Sequence, residues 1–304
     1  MVRFLVLFIS VFAYAENSDL KNVFLLTEGR SLNERIDILT NHFLDKPFID
    51  YPLGEGQMYD ERPRWRIDGF DCATFVETIA ALALSPDLGE FEETVIKVRY
   101  MNNEPTFETR AHFPDADWNK NLISRGLAQD ITEKIGLNQS KIYRYEINRR
   151  GWYEKLSIER TFPSSPAKLS ILRSLGSKYG VEPVEVPYIP ITSIVTPDPN
   201  GNISLKDYDP RRPDKRFKVN QALLDRIPSG AVFGLLRPQQ MDPKIFGTKQ
   251  VISHRGFVLR EKNLKWRHMT IFKRRSIESE MIKELIFRLE DSDLLGIQFL
   301  ELQG

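Results

Sequence analysis

Cysteine is the scarcest resource of this chain: one, Cys72, among 304 residues. A single thiol cannot close an intramolecular disulfide, so no covalent framework holds the fold and its stability must come from an apolar core. Histidine is nearly as scarce, with four, and no Cys/His spacing of the kind that holds zinc is present. Charge of one sign is missing too. Lys and Arg number 43 against 42 Asp and Glu, and a net charge of +1 gives no global signature of a nucleic-acid binder. No internal repeat or low-complexity tract is visible, and beyond the first fifteen residues no run is apolar enough to span a bilayer.

What is present begins with a short positive end, Met1-Val2-Arg3, an apolar run from Phe4 to Phe12, and Ala13-Tyr14-Ala15. This pattern predicts a secretory signal peptide over 1–15, cleaved after Ala15, and a periplasmic or secreted mature chain. Export sharpens the meaning of Cys72, because an oxidising compartment normally pairs thiols. A lone thiol there is either buried and inert or kept for chemistry. A hydrophobic fraction of 41% fits a globular protein, and residues 16–304 are expected to form a single domain with an insert-like region around 140–220.

The chain is organised around Arg66-Ile67-Asp68-Gly69-Phe70-Asp71-Cys72-Ala73-Thr74-Phe75-Val76-Glu77. Gly69 breaks an extended run and Asp71 can cap a helix whose apolar face is Phe75, Val76, Ile79, Ala80, Leu82 and Ala83. The thiol then lies in the first helical turn, where the helix dipole favours an anion, and its pKa is expected to fall towards the thiolate. A buried, inert core cysteine is the competing reading of the same stretch.

Upstream, Ser31-Leu32-Asn33-Glu34 reads as a capping box opening a helix, with His42 on it as a surface or packing residue. A helix at 89–101 follows the cysteine helix. Polar and aromatic residues from Arg110-Ala111-His112-Phe113 through Asp117-Trp118 suggest a loop at a cleft, or one packed by its own rings. Strand character at 140–160, a helix at 164–180 and an extended run from Pro183 to Pro190 come next. Strands at 231–236, 253–259 and 266–271 suit an antiparallel meander, with 276–291 mixed and a last strand near 296–300. Helices first and a sheet later is an α+β order.

A thiolate nucleophile needs a base, and the base needs a partner to orient it. His254 and His268 lie on adjacent expected strands and could sit side by side on one face, His254 as base and His268 as orienting group. Taken singly, each histidine is more often structural.

Phe70-Asp71-Cys72-Ala73-Thr74-Phe75-Val76-Glu77 together with Ser253-His254-Arg255-Gly256-Phe257 resembles the NlpC-type papain-like cysteine hydrolases of bacterial cell walls. Tyr51-Pro52-Leu53-Gly54-Glu55-Gly56, Arg110 to Phe113, Asp117-Trp118, Asp130-Ile131-Thr132 and Tyr188-Ile189-Pro190 are similar to landmarks of the N-acetylmuramoyl-L-alanine amidase-like branch. The resemblance implies a papain-like fold with Cys72 as nucleophile, His254 as base and His268 as third residue. Tyr51, Asp71, Arg110, His112 and Trp118 become weaker candidates for substrate or oxyanion contacts. It implies no metal and no cofactor, and peptidoglycan or muropeptides as partner. Two departures stand out: Ala231 where relatives tend to carry Asp, and Arg255 where they tend to carry a small aliphatic residue. A D-Glu–diamino acid endopeptidase, a non-catalytic wall-binding module and an exported enzyme with another acyl acceptor are the alternatives. Arg110, Arg255 or the basic run Arg211 to Arg216 could meet substrate carboxylates.

Overall fold

A computed structural model describes residues 19–53, 64–158, 160–161, 165–239, 242–291 and 294–304. The expected signal peptide and Gly54-Glu55-Gly56 lie outside the described residues. Four helices come first: α1 (19–27), α2 (Leu32–His42), α3 (Cys72–Leu84) and α4 (Phe91–Arg99). The capping box is formed, with Glu34 Oε2 accepting from the Ser31 backbone N–H at 2.9 Å and from its hydroxyl at 2.6 Å. Asp71 caps α3 by accepting from the Thr74 N–H at 2.7 Å, a contact of the kind that stabilises a helix by about 1 kcal/mol.

The strands are β1 (Ala128–Asp130), β2 (Lys141–Asn148), β3 (Val181–Pro190), β4 (Val195–Pro197), β5 (Ile203–Ser204) and β6 (Arg216–Val219). They are followed by β7 (Ala231–Leu236), β8 (Ile252–Arg260), β9 (Leu264–Thr270), β10 (Arg275–Glu280) and β11 (Gly296–Leu302). The large sheet runs β10-β9-β8-β7-β11-β3-β2, with β1 paired to β11, and its strand pairs are antiparallel. β7 to β9 form the expected meander, and β10 extends it. The stretch 276–291 resolves into all but the first residue of β10 and a helix, Met281–Asp291.

The chain order does not give the sheet order. β11 inserts between β7 and β3, so the end of the chain joins the meander to the β2–β3 pair. Gly296 permits this, because a β-carbon there would collide with the Ile189 carbonyl oxygen. Within the stretch expected to be insert-like, β2 and β3 therefore extend the main sheet. Only β4, β5 and β6 form a separate three-stranded sheet.

Alternation along β8 builds two cores. Phe257 and Leu259 face the helices with Phe75, Val76 and Ile79. Val258 faces the other way, with Phe233, Trp266, Met281 and Leu285. Edge-on aromatic contacts run Phe43–Phe70–Phe75–Phe257, at 5.5, 5.7 and 6.4 Å between ring centroids. They fix the start of α3 against β8, and through it the position of Cys72.

Candidate active site

Cys72 is the first residue of α3 and is half-buried where two cavities meet. The larger, of about 450 Å3, is bounded by Tyr51, Arg110, His112 and Trp152. The smaller, of about 230 Å3, is bounded by His254, His268, Arg237 and Arg288. Phe48, Cys72 and Ile271 line both.

The two histidines meet as the alternation predicts. His254 Nε2 and His268 Nδ1 are 2.7 Å apart, with ring planes crossing at 81°. His268 Nε2 in turn lies 3.3 Å from Ser279 Oγ on β10. Phe233, stacked on Trp266 at 4.3 Å, lies 6.0 Å from the His254 ring. Gly256 leaves the room for the pair, since a β-carbon there would stand 2.7 Å from His268 Cβ and 2.7 Å from the Arg267 carbonyl oxygen. The backbone N–H groups of Arg255 and of Cys72 itself favour the thiolate, though less than burial disfavours it. Catalytic contacts commonly tighten only when substrate arrives.

The electrostatics reverse the sequence expectation for the thiol. Burial pushes Cys72 up to about 12, the Asp71 carboxylate beside it pushes the same way, and the Arg255 guanidinium only partly opposes them. Desolvation of a thiolate outweighs the helix terminus here. Burial also holds His254 well below the ordinary imidazole range, with His268, Arg288 and Arg237 adding repulsion. His268 falls to about 4, through burial and then Arg288. The resting site is thus a neutral thiol and two neutral imidazoles.

His112 is likewise driven to about 4, by burial and then by Arg110. These shifts give stability a pH dependence of definite sign. Below pH 6.5 the unfolded chain takes up protons that the folded imidazoles refuse, so the stabilisation is complete above that value and is lost as pH falls towards 4. A shift of this size is worth about 3 kcal/mol at His268, which is almost fully buried. The urea midpoint is expected to drop between pH 6.5 and 4, with a shallower slope in His268→Asn. A midpoint that stays level over that window would contradict the neutral pair.

The remaining candidates divide. Arg110 and His112 line the larger cavity, His112 bonding the Phe107 carbonyl at 2.6 Å. Tyr51 lines it too and is exposed, with a left-handed φ of 48°. Asp71 serves as the helix cap and also borders that cavity. Trp118 is different: it is fully buried, with the Arg255 guanidinium 3.9 Å above its ring, and neither of the two borders a cavity at Cys72. Arg255 Nη2 reaches Asn119 Oδ1 at 3.3 Å. Both side chains thus lie on the helix side of the sheet, Arg255 because odd positions of β8 point that way. In the basic run, Arg211 is bound by Asp209 and Lys215 by Glu290, and neither Arg211 nor Lys215 borders the two cavities. Sequence reasoning missed Ser279, Arg237 and Arg288, for which no spacing or motif gave a signal.

A further cavity of about 300 Å3 between α1 and residues 86–88 is lined by neither cysteine nor histidine. Among the described residues, no group of three or more His, Cys, Asp or Glu stands together as a metal site, and no helix is long and apolar enough to cross a membrane.

Known proteins give this geometry a context. A solved structure from Legionella pneumophila aligns with a TM-score of 0.82 at 27% identity, covering 97% of each chain. That of an N-acetylmuramoyl-L-alanine amidase from Bacteroides uniformis aligns with a TM-score of 0.62 at 17% identity, over 90% of this chain and 99% of that one, a likeness of fold alone. No curated protein matches the chain. Residues 38–288 match the AmiA-like family model, described as N-acetylmuramoyl-L-alanine amidase-like, and the chain belongs to that family.

Proposed function

We propose that this protein is an exported, cysteine-dependent peptidoglycan amide hydrolase of papain-like, NlpC-type mechanism, cleaving the bond between N-acetylmuramic acid and L-alanine. The family supports the hydrolase class and a cell-wall substrate. The leader-like pattern of residues 1–15 supports export, with residues 16–304 acting as one domain. The observation that carries the reading is the His254–His268 contact in a cavity that Cys72 also lines.

In the productive tautomer, His268 Nε2–H donates to Ser279 Oγ and its Nδ1 accepts from His254 Nε2–H. The basic site of His254 is then its Nδ1. With substrate bound, that nitrogen takes the Cys72 proton as sulfur attacks the lactyl carbonyl, so no stable thiolate is required beforehand. Backbone N–H groups at the start of α3, that of Cys72 included, stabilise the oxyanion. His254 then protonates the leaving alanine nitrogen, the C–N bond breaks, and a thioester remains. Water, deprotonated by His254, releases the acid and restores the thiol.

Mass spectrometry of muropeptides incubated with residues 16–304 tests this. The expected product is free stem peptide beside muramic acid, absent with Cys72→Ala. Cleavage after D-glutamate would move the specificity to the endopeptidase alternative, and no product from any wall fraction would overturn the enzymatic reading.

A further inference from the structure

The exposure of β9 and the turn after it climbs from the floor of the smaller cavity to its mouth. His268 is 2% exposed, Thr270 9%, Ile271 53% and Phe272 89%, and all four line that cavity. Beyond Thr270 the strand gives way to a turn, closed by the Arg274 N–H donating to the Ile271 carbonyl at 3.3 Å. Arg274 has a φ of 53°, a left-handed conformation that favours glycine. An arginine at this position instead fastens the turn. Its guanidinium lies 4.9 Å from the Phe48 ring and donates to Asp50 Oδ2 at 3.1 Å and to the Phe48 carbonyl at 3.4 Å. Its carbonyl accepts from the Phe48 N–H at 2.9 Å. Phe48 borders both cavities beside Cys72. The turn is thus pinned to the wall of the site, and it holds Phe272 out in solvent at the mouth.

A general acid must stand within hydrogen-bond reach of the nitrogen it protonates. His254 borders the smaller cavity and not the larger. The leaving amine therefore starts in the smaller cavity, and the chain attached to it runs out along the wall that β9 provides. From His268 to the turn that wall is roughly 10 Å long, at about 3.3 Å per extended residue. An extended leaving peptide brings its third residue to Ile271 and Phe272. The exposed apolar surface there is stabilised by covering it with an aliphatic chain.

We propose that Ile271 and Phe272 form an apolar subsite for the third residue of the leaving peptide and make the protein selective for stems that extend that far. The inference rests on the acyl-transfer reading above and deepens it. In a muramoyl-L-alanyl-D-glutamyl stem the third residue is the diamino acid, whose methylene chain supplies the apolar surface. Were the bond after D-glutamate cut instead, the diamino acid would be the first leaving residue and would lie beside His254, short of the turn.

The test compares N-acetylmuramoyl-L-alanyl-D-glutamate with the same compound extended by the diamino acid, measuring release of free dipeptide and free tripeptide. The wild-type protein is expected to prefer the longer substrate by about ten-fold in kcat/KM, the scale of covering about half of a phenylalanine side chain. In Phe272→Ser the ratio should fall to near one, and in Phe272→Trp it should hold. Phe272 is almost wholly exposed, so the denaturant midpoint of Phe272→Ser should match that of wild type, and the ratio then reports binding. Effects on the catalytic groups cancel in the ratio, because the same thiol and imidazole serve both substrates. A wild-type ratio near one overturns the subsite and leaves the amidase reading standing. So does a preference for the longer substrate that Phe272→Ser keeps. Release of peptide from neither substrate would overturn the muramoyl-L-alanine reading itself, and the subsite with it.

Discussion

Cys72→Ala is expected to lower muropeptide turnover by about a thousand-fold or more, with little change in folding stability. Removing a nucleophile takes away the covalent route altogether, and whatever remains comes from binding and oxyanion stabilisation. The fold has no comparable stake in the sulfur. Cys72 is half-buried at the first position of α3, where alanine is a good helix former, and Asp71 caps the helix through Thr74 rather than through the thiol. Urea unfolding of Cys72→Ala beside wild type checks the second half of the statement. The thiol also has an expected signature of its own. Pushed to about 12 by burial, it holds a thiolate fraction on the order of 10⁻⁵ at pH 7. Alkylation of the free protein by iodoacetamide should then be slow at neutral pH and climb about ten-fold per pH unit up to pH 10. A rate that levels off below pH 8 would mean that a thiolate–imidazolium pair is already present at rest.

A large loss of stability from a single polar side chain is expected at Glu77. It lies on α3 five residues beyond Cys72 and is 7% exposed, with its Oε2 3.2 Å from Nη2 of Arg99, itself 3% exposed. Arg99 also donates to the Arg64 carbonyl at 2.9 Å, and the Arg255 guanidinium lies near enough to respond to the Glu77 charge. Glu77→Ala strands buried positive charge, and breaking one side of such a pair costs about 3–5 kcal/mol. Glu77→Gln keeps the shape and one acceptor and should cost less. Replacing both partners with methionine should recover much of the loss, because the pair's own desolvation penalty disappears with it. Denaturant midpoints of the four proteins decide the matter. A loss below about 1 kcal/mol in Glu77→Ala would mean that water entering the larger cavity solvates Arg99 well enough to replace the carboxylate.

Near-neighbour signals in the sequence carried far. The capping box at Ser31, the Asp71 cap and the start of α3 at Cys72 arise from residues within a few positions of one another, and the β7–β9 strands from local alternation; they stand in the structure as these patterns indicate. The meeting of His254 and His268 was legible for the same reason. Two adjacent antiparallel strands and a period of two bring them to one face, and Gly256 on that face clears the space between. The stretch 276–291 was ambiguous because a strand and a helix abut at Glu280 and Met281 without a turn signal.

By itself, then, the sequence determined one thiol at a helix start, a histidine pair on neighbouring strands and an order of helices before sheet, because each depends on local propensity and fixed periods. Tertiary structure alone decided the rest. It set β11 between β7 and β3, seated Trp118 beneath the Arg255 guanidinium, and brought Arg237 and Arg288 beside the histidines. It also reversed the expected acidity of Cys72. Strand pairing across a hundred residues, the groups beside a histidine pair and the desolvation of a thiolate depend on what the fold packs around a group. No stretch of chain near that group records it.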